Sequence, residues 1–509
     1  MKNINKLLTK AFISIMVLMA FTSCNKDFLD KNPLDAISGA TFWKTEADVQ
    51  MSLTAVYRTL QNNIYGARKP FLDSYSDNAI DRHTFFGFQA YTIGVINASN
   101  INSSLYNVPY SGIAQCNYFL DNINAVAAVS PANKDKYVAE VRMIRAMYYF
   151  DLVQFFGDVV VYKNAPKTAE EAKIAKTPKD DVLKFVVEDL DFAISKLPST
   201  AYKGSAVKAS AQMIKARVRL YQKNWADAME ITKDIINSGN FSIYQGGYNN
   251  LFLTTTQQNN PEIIFSTKFL APNNPQGGEG MLVELGWYGA IQPLQNLVNE
   301  YEMTNGKKIN EKDSGFDASN PYNNRDPRLR MTILVPIDSY RNPDGSTFNT
   351  SDPIITGFNQ KKYMDVSKLP WDRSKIVVTD MNVVHIRFAE VLLAYAEAKN
   401  EISDPDATVY DAIDRVRTRT GVNLPAIDRT KYATKDLMRE FIRHERRVEL
   451  ALEGHRYFDL KRWGIMAQTL AVIKNPAGQN LSFGEKNNVL PFPQNELDRN
   501  KSLVQNKDY

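Results

Sequence analysis

Among 509 residues there are only two cysteines, Cys24 and Cys116, and four histidines, His83, His385, His444 and His455. Two cysteines, one of which is assigned to lipid below, cannot build a disulfide framework. None of the histidines belongs to a His-Glu-x-x-His arrangement, and Cys116 has no second cysteine at zinc spacing, so the pattern of a catalytic metal is missing. No Gly-x-Ser-x-Gly elbow and no phosphate-binding loop occur. Gly277-Gly278-Glu279-Gly280 stands among Asn and Pro and reads as a turn. Excess charge is also lacking. The formal net charge is +5, or +2 once Lys2, Lys6 and Lys10 are removed with the leader, which gives no basic footprint for nucleic acid. No apolar run is long enough to span a bilayer. The longest, from Ala11 to Phe21, rises about 16 Å as a helix, against a hydrocarbon core of about 30 Å.

That run follows a basic start and precedes Thr22-Ser23-Cys24, the layout of a secretory signal peptide over residues 1–23. A cysteine after small residues resembles a bacterial lipobox, in which the thiol of Cys24 takes a diacylglycerol. Residues 24–40 would then be a lipidated tether, and acylation by two or three chains gives stable anchoring.

The remaining composition, 44% hydrophobic and 23% charged, is that of an ordinary globular chain. Its most apolar helical stretch runs from Glu140 to Val161. Val141, Ile144, Met147, Phe150, Leu152 and Phe156 leave only a narrow polar stripe at Arg142, Arg145 and Gln154, which predicts a central helix packed on several sides. Helical period recurs at 41–61, 111–126, 178–197, 205–223, 225–238, 385–400, 407–420 and 434–453. The pair 205–223 and 225–238 carries small alanines at Ala206, Ala209, Ala216, Ala226 and Ala228, as in two antiparallel helices of a tetratricopeptide unit, and such units must stack to bury their faces. Residues 66–110 have no sustained period. Nor does 241–380, apart from short β-like runs at 263–269 and 331–337.

Several stretches carry a more specific signal. RAMYYFDLVQFFGDVVV (145–161), NNRDPRLRMTI (323–333), IRFAEVLLAYAEAKNE (386–401), ERRVELALEGHRYFDLKRWG (445–464) and the final VLPFPQNELDRNKSLVQNKDY (489–509) resemble, in order, the motifs of the SusD/RagB family of Bacteroidetes. So does NKDFLDKNP (25–33) after the lipobox. The resemblance implies a mainly α fold, a tetratricopeptide-like helical superhelix with a loop-rich, partly irregular insertion. It divides the chain into an N-terminal helical region over 41–240 with a loop at 66–110, an insertion at 241–384 and a C-terminal helical region at 385–509. It implies a non-enzymatic, lipid-anchored protein exposed at the outer-membrane surface. Such a protein captures an oligosaccharide and passes it to a SusC-like TonB-dependent transporter. No cofactor is implied, although loop carboxylates and carbonyls leave a structural calcium open.

The residues supply the site chemistry. An aromatic ring covers the C–H face of a sugar, and Asp, Asn or Arg pairs with its hydroxyls. Residues 66–110 offer Asp77, Asn78, Asp81, Arg82, Phe85, Phe86, Tyr91, Asn97 and Asn100, and the insertion offers Trp287, Tyr288, Tyr322 and Trp371. In the family, ligand contacts come from these two regions. The candidate ligand residues are therefore Asp77, Asp81, Arg82, Phe85, Phe86, Tyr91, Asn100, Trp287, Tyr288 and Tyr322. Three alternatives stay open: a peptide receptor as in the RagB branch, a lipid-anchored glycoside hydrolase using Asp77 and Asp81, and a scaffold that binds only protein. Cys116, on a face with Ile113 and Leu120, reads as a small core residue. The charged run 439–447 reads as an ion network of the scaffold, continued by Arg456, Asp459 and Arg462.

Overall fold

The computed structural model describes residues 42–92, 94–277, 279–338, 350–368 and 373–509. The leader, Cys24, the tether and Trp371 lie outside them.

Six helices form the first part of an array: α1 (Glu46–Thr59), α2 (Ser104–Asn122), α3 (Pro131–Phe156), α4 (Lys179–Lys196), α5 (Lys208–Tyr221) and α6 (Trp225–Asn237). Each packs on the next. Their starts follow local chemistry. The Thr45 hydroxyl accepts the Asp48 backbone N–H while the Asp48 carboxylate accepts the Thr45 N–H, a capping box that supplies two otherwise orphaned donors. Ser130 caps α3 in front of Pro131, whose missing N–H costs nothing at the first helical position.

The central helix α3 is buried around nearly its whole circumference. Gly112 of α2 lies flat against the Tyr148 ring, where an added Cβ would come within 2.2 Å of Cε2. Only hydrogen fits there, and that lets α2 and α3 approach closely. The polar stripe is buried as well: Arg145 donates to both oxygens of Asp189 on α4 (2.8 and 2.9 Å), and Arg142 to one (2.6 Å). At the far end Phe156 stacks on Phe492 and Phe155 on Tyr457, so the end of the chain closes over the first half. Cys116 is a free, buried thiol in this core, and burial pushes it well above the ordinary thiol value, so it is inert at neutral pH.

The array resumes 150 residues later with α7 (Phe388–Ile402), which packs directly on α6, and continues with α8 (Ala407–Arg417) and α9 (Lys435–Glu449), both packed on α7. A shorter helix, α10 (Arg456–Trp463), follows. The mainly α, tetratricopeptide-like array expected from the sequence is thus the observed architecture. Element boundaries differ in three places. Helix α2 begins at Ser104, inside the stretch read as loop. His385 does not begin a helix; with Val383, Val384 and Ile386 it belongs to a fully buried strand, Val383–Arg387. That strand pairs antiparallel with Ile263–Thr267, which the β-like run at 263–269 announces, although no local pattern reveals the pairing. Of the β-like run 331–337 only Ile333–Leu334 is strand, since Arg328–Thr332 is helical.

The charged run on α9 is a network, but its strongest partners are distant in sequence. Glu449 accepts from Arg328 (2.8 Å), Arg387 (2.6 Å) and Arg419 (3.0 Å). Arg328 also reaches Glu445 and Asp326, Arg417 bridges Glu445 to Glu302, Arg387 and Arg419 share Glu262, and Arg387 and Lys362 share Glu453. Every side chain in this set is no more than 2% exposed. Burial alone would raise the Glu449 carboxyl, but the three guanidiniums hold it well below the usual carboxylate range. Glu302, against His444 and Arg417, and Glu397, against Arg462, are held down to about 2 in the same way, with burial opposing.

Three outcomes are expected. Glu449→Ala leaves three buried guanidiniums short of an anion and lowers unfolding stability by about 3–5 kcal/mol, read from urea denaturation. Asp181→Ala, at an exposed pair with Lys184, changes stability by less than about 0.5 kcal/mol. Because Glu302 and Glu397 are depressed from an ordinary value of 4.5, their stabilisation is complete above that pH and is lost as pH falls towards 2. Circular dichroism should therefore show acid unfolding below pH 4.5; a transition centred above pH 5 would assign it to other groups.

Candidate ligand-binding site

Two segments that lack helical period meet through a short ladder. Strand β1 (Ala79–Asp81) pairs antiparallel with β3 (Ile291–Pro293), the third strand in chain order after Ile263–Thr267. The pairing continues outward: the Arg82 N–H donates to the Ala290 carbonyl (2.8 Å), and His83 Nε2 lies 3.3 Å from the Tyr288 carbonyl. The turn between them depends on Gly289, with φ +56°, where a Cβ would meet Ile354 Cδ1 at 2.7 Å. Glycine alone permits that backbone without strain.

The ladder delivers a cluster of rings to the surface. Phe85 is 67% exposed, and its ring lies 4.9 Å from His83, 4.3 Å from Phe86 and 6.2 Å from Tyr288, the last edge-on. His83 is edge-on to Tyr288 at 5.9 Å. Phe86 is buried and anchors the cluster, packed on Phe71 and under the Arg68 guanidinium at 4.9 Å. Polar groups edge it. Arg68 pairs with Glu284 (2.8 Å), Arg373 pairs with Glu279, and Asp352 lies 3.6 Å from His83. The Glu279 carboxyl is held low by its hydrogen bond from Arg373, with a smaller contribution from Tyr288. Burial raises the Glu284 carboxyl, opposed by Arg68.

The other candidates have other positions. Asp77 is 1% exposed and fully engaged by Arg456 (2.8 and 3.0 Å) and Arg447 (2.8 Å). Burial would raise its carboxyl, but the two guanidiniums lower it below the ordinary value. Asp77 is thus a scaffold anion with no oxygen to offer a ligand, which corrects the reading of the sequence. Asp81 is 2% exposed and accepts the N–H groups of His83 (3.0 Å) and Phe88 (3.2 Å), so it shapes the turn that presents Phe85 instead of facing solvent. Tyr91 is 1% exposed, stacked on Tyr75, with its hydroxyl donating to the Asn487 carbonyl. A tyrosine in a loop reads as available, and only the tertiary fold shows it is core. Asn100 closes a local turn with Asn97 and Val95. Tyr322 packs on a second, smaller core beside Phe358, apart from the ring cluster. Trp287 is half-buried against the main core, with its carbonyl accepting the Ser351 N–H. Arg82 contributes its backbone to the ladder and is half-buried. Of the candidates, the structure therefore brings together Phe85, Phe86 and Tyr288. It adds His83, Arg68, Glu279, Glu284, Asp352 and Arg373, which sequence reasoning did not single out for this role. His83, two residues from Phe85 inside the same run, was the one discernible among them.

Among the described residues no cluster of three or more His, Cys, Asp or Glu is placed to hold a metal ion, and no helix is long and apolar enough to cross a membrane.

The chain matches the SusD family over residues 254–509 and a family described as starch-binding, associating with the outer membrane, over residues 27–221. A SusD-like protein of Formosa agariphila is 27% identical over 97% of each chain, and one of Bacteroides ovatus is 23% identical over 89% of this chain and 82% of its own. Among solved structures, a SusD-like carbohydrate binding protein from Bacteroides fragilis superposes with a TM-score of 0.79 at 28% identity, covering 91% of this chain and 100% of that one. A laminarin binding SusD-like protein superposes with a TM-score of 0.72 at 23% identity, covering 92% and 100%.

Burial pushes the Asp81 carboxyl up to about 7, with the two N–H donors opposing. Its raised value makes a contribution to stability that is complete below the ordinary 3.8 and lost as pH rises through 7. The stability of Asp81→Asn relative to the parent should accordingly improve between pH 4 and pH 8, by up to about 1.4 kcal/mol per pH unit. Parallel urea titrations at the two pH values check this; a constant difference would show that Asp81 stays ionised throughout.

Proposed function

The chain belongs to the SusD family, and we propose that it is a non-enzymatic glycan-binding lipoprotein of the outer-membrane surface. Its oligosaccharide would rest on the ring cluster of His83, Phe85 and Tyr288. The observation that carries this reading is the convergence of rings from segments 200 residues apart into one exposed cluster, centred on a phenylalanine that is 67% exposed. Scattered exposed apolar residues are ordinary, but a fixed ring cluster with a charged rim marks an interaction site.

The chemistry suits a sugar. The rings offer faces and edges to pyranose C–H groups, and the paired side chains at the rim offer donors and acceptors for hydroxyls. Because Arg68 and Arg373 are each neutralised by a neighbouring carboxylate, the rim has little net charge to favour an ionic ligand. A carbohydrate ligand also agrees with what the Bacteroides fragilis protein and the laminarin binding protein are described as binding. Micromolar to millimolar affinity, about 4–8 kcal/mol, suffices for capture and leaves release easy. Acylation at Cys24 would hold the protein at the membrane, and delivery would be to a SusC-like TonB-dependent transporter that meets the helical array.

Calorimetric titration of the soluble chain from Asn25 onwards, against oligosaccharides and peptides, tests this. Tyr288→Ala and Phe85→Ala should each weaken glycan binding about tenfold, or about 1.4 kcal/mol. The melting temperature should scarcely change for Phe85→Ala, because that ring is exposed. Appearance of new reducing ends during the titration would make the protein a hydrolase. Saturable binding of peptides alone would move it to the peptide receptors. Unchanged affinity in both variants would remove the ligand from this cluster.

A further inference from the structure

We infer that the protein has a second carbohydrate-binding cleft, lined by Tyr106, Tyr110 and Tyr162, which takes an uncharged oligosaccharide. The inference extends the carbohydrate reading above, but the cleft shares no residue with the Phe85 cluster.

The cleft has a volume of about 490 Å³, within the range of about 300–1,000 Å³ usual for small-molecule sites. It lies between the outer face of α2, the strap around Tyr162 to Ala172, and the C-terminal helix Gln494–Arg499. Tyr106 is buried, edge-on to Phe156 and Phe492, and forms the back wall, 4.6 Å from the tilted ring of Tyr110. The rings a ligand can reach are the half-buried Tyr110 and Tyr162, the latter edge-on to Tyr110 at 5.9 Å. Their orientation is fixed from behind: the Tyr110 hydroxyl donates to the Val160 carbonyl (2.8 Å) and that of Tyr162 to the Ala172 carbonyl (2.6 Å). Rings held by their hydroxyls cost little conformational entropy when a ligand covers them.

One turn apart on the same helix face, Ser111 and Ala114 are small and exposed, which keeps the floor open. The half-buried Asn107 carboxamide makes no hydrogen bond among the described residues, so both its donors and its acceptor are available to hydroxyls. At the rim Arg499 pairs with Glu496 (3.0 Å), which offers polar contacts while cancelling charge. Rings, one free amide and a neutralised rim together suit a neutral sugar. A second groove, of about 520 Å³, shares Tyr162 and Pro166 and provides a continuation for a longer chain.

The test titrates the soluble chain from Asn25 with maltohexaose, laminarihexaose, xylohexaose and mannohexaose by calorimetry. The proteins are the parent, Tyr288→Ala, Ala114→Trp and the double variant. Because Ala114 is exposed on a helix, Trp fills the cleft without entering the core; Ser111→Trp serves if Ala114→Trp misfolds. The expected result is two sites per chain for at least one sugar. One site should survive Tyr288→Ala and be lost with Ala114→Trp, and Asn107→Ala should weaken it at least tenfold. Loss of all binding with Tyr288→Ala alone supports the Phe85 cluster and overturns the second cleft. Binding that ignores Tyr288→Ala but is lost with Ala114→Trp keeps the cleft and removes the first site. A stoichiometry unchanged by Ala114→Trp, or no binding of any of the four sugars, overturns the cleft.

Discussion

The buried carboxylate of Glu449 sets the terms for the rest of the molecule. Three guanidiniums converge on it: Arg328 from the segment between the two halves of the array, Arg387 from the strand before α7, and Arg419 from the turn after α8. None of these charges reaches water, so each is tolerable only while the others stay in place. A network of this kind gives little net stability over a well-packed apolar core. Its effect is exclusion: a misdocked insertion would strand several ions in a low-dielectric interior. The insertion also buries apolar side chains in the main core, among them Ile264, Phe265, Leu282 and Val283. Apolar contact is non-directional, and charge pairing adds the specification of position that it lacks.

The same logic extends outward to the surface. Arg447, next to this network on α9, and Arg456 of α10 clamp Asp77. Asp77 lies just before the strand Ala79–Asp81, which the ladder to Ile291–Pro293 then aligns with the Tyr288 turn. Asp81 receives two backbone N–H groups and sets the turn that carries Phe85. The exposed ring therefore sits at the end of a rigid chain of supports that begins in the buried ions. The two carboxylates most suggestive of ligand chemistry are the mount for that ring.

Periodic features were legible in the amino-acid order. The central helix, the alanine-rich helix pair, the inert Cys116 and the ionic character of 439–447 all follow from spacing on a helix, because spacing determines what shares a face. The strand at Val383–Arg387 was not legible, because its partner lies 120 residues away and its β-branched residues pass equally as the start of a buried helix. Within 66–110 no period exists, so composition alone could not separate exposed Phe85 from buried Tyr91 and Asp77. That sorting is made by arginines from 447 and 456, which nothing local in the loop announces. Tyr288 was legible as a candidate as one of the aromatics of the loop-rich insertion, whereas Arg373, Asp352 and Glu279 gain their roles only by folding.

Helix α7 seats directly on α6 although about 150 residues intervene. The helical array is thus continuous without using the intervening segment as a spacer, which leaves the exposed loops of that segment, though not the apolar residues it adds to the core, free to vary as a replaceable cassette. The freedom has a lock. Glu262, Glu302, Arg328 and Lys362 all come from the cassette and meet fixed partners: Arg387 at the end of the strand that leads into α7, and Arg417, Arg419, Glu445, Glu449 and Glu453 on the array. A replacement that kept these four charges and the buried apolar residues at matching positions would dock in register whatever exposed loops it carried. One that lacked them would be refused at the core long before its surface met a ligand.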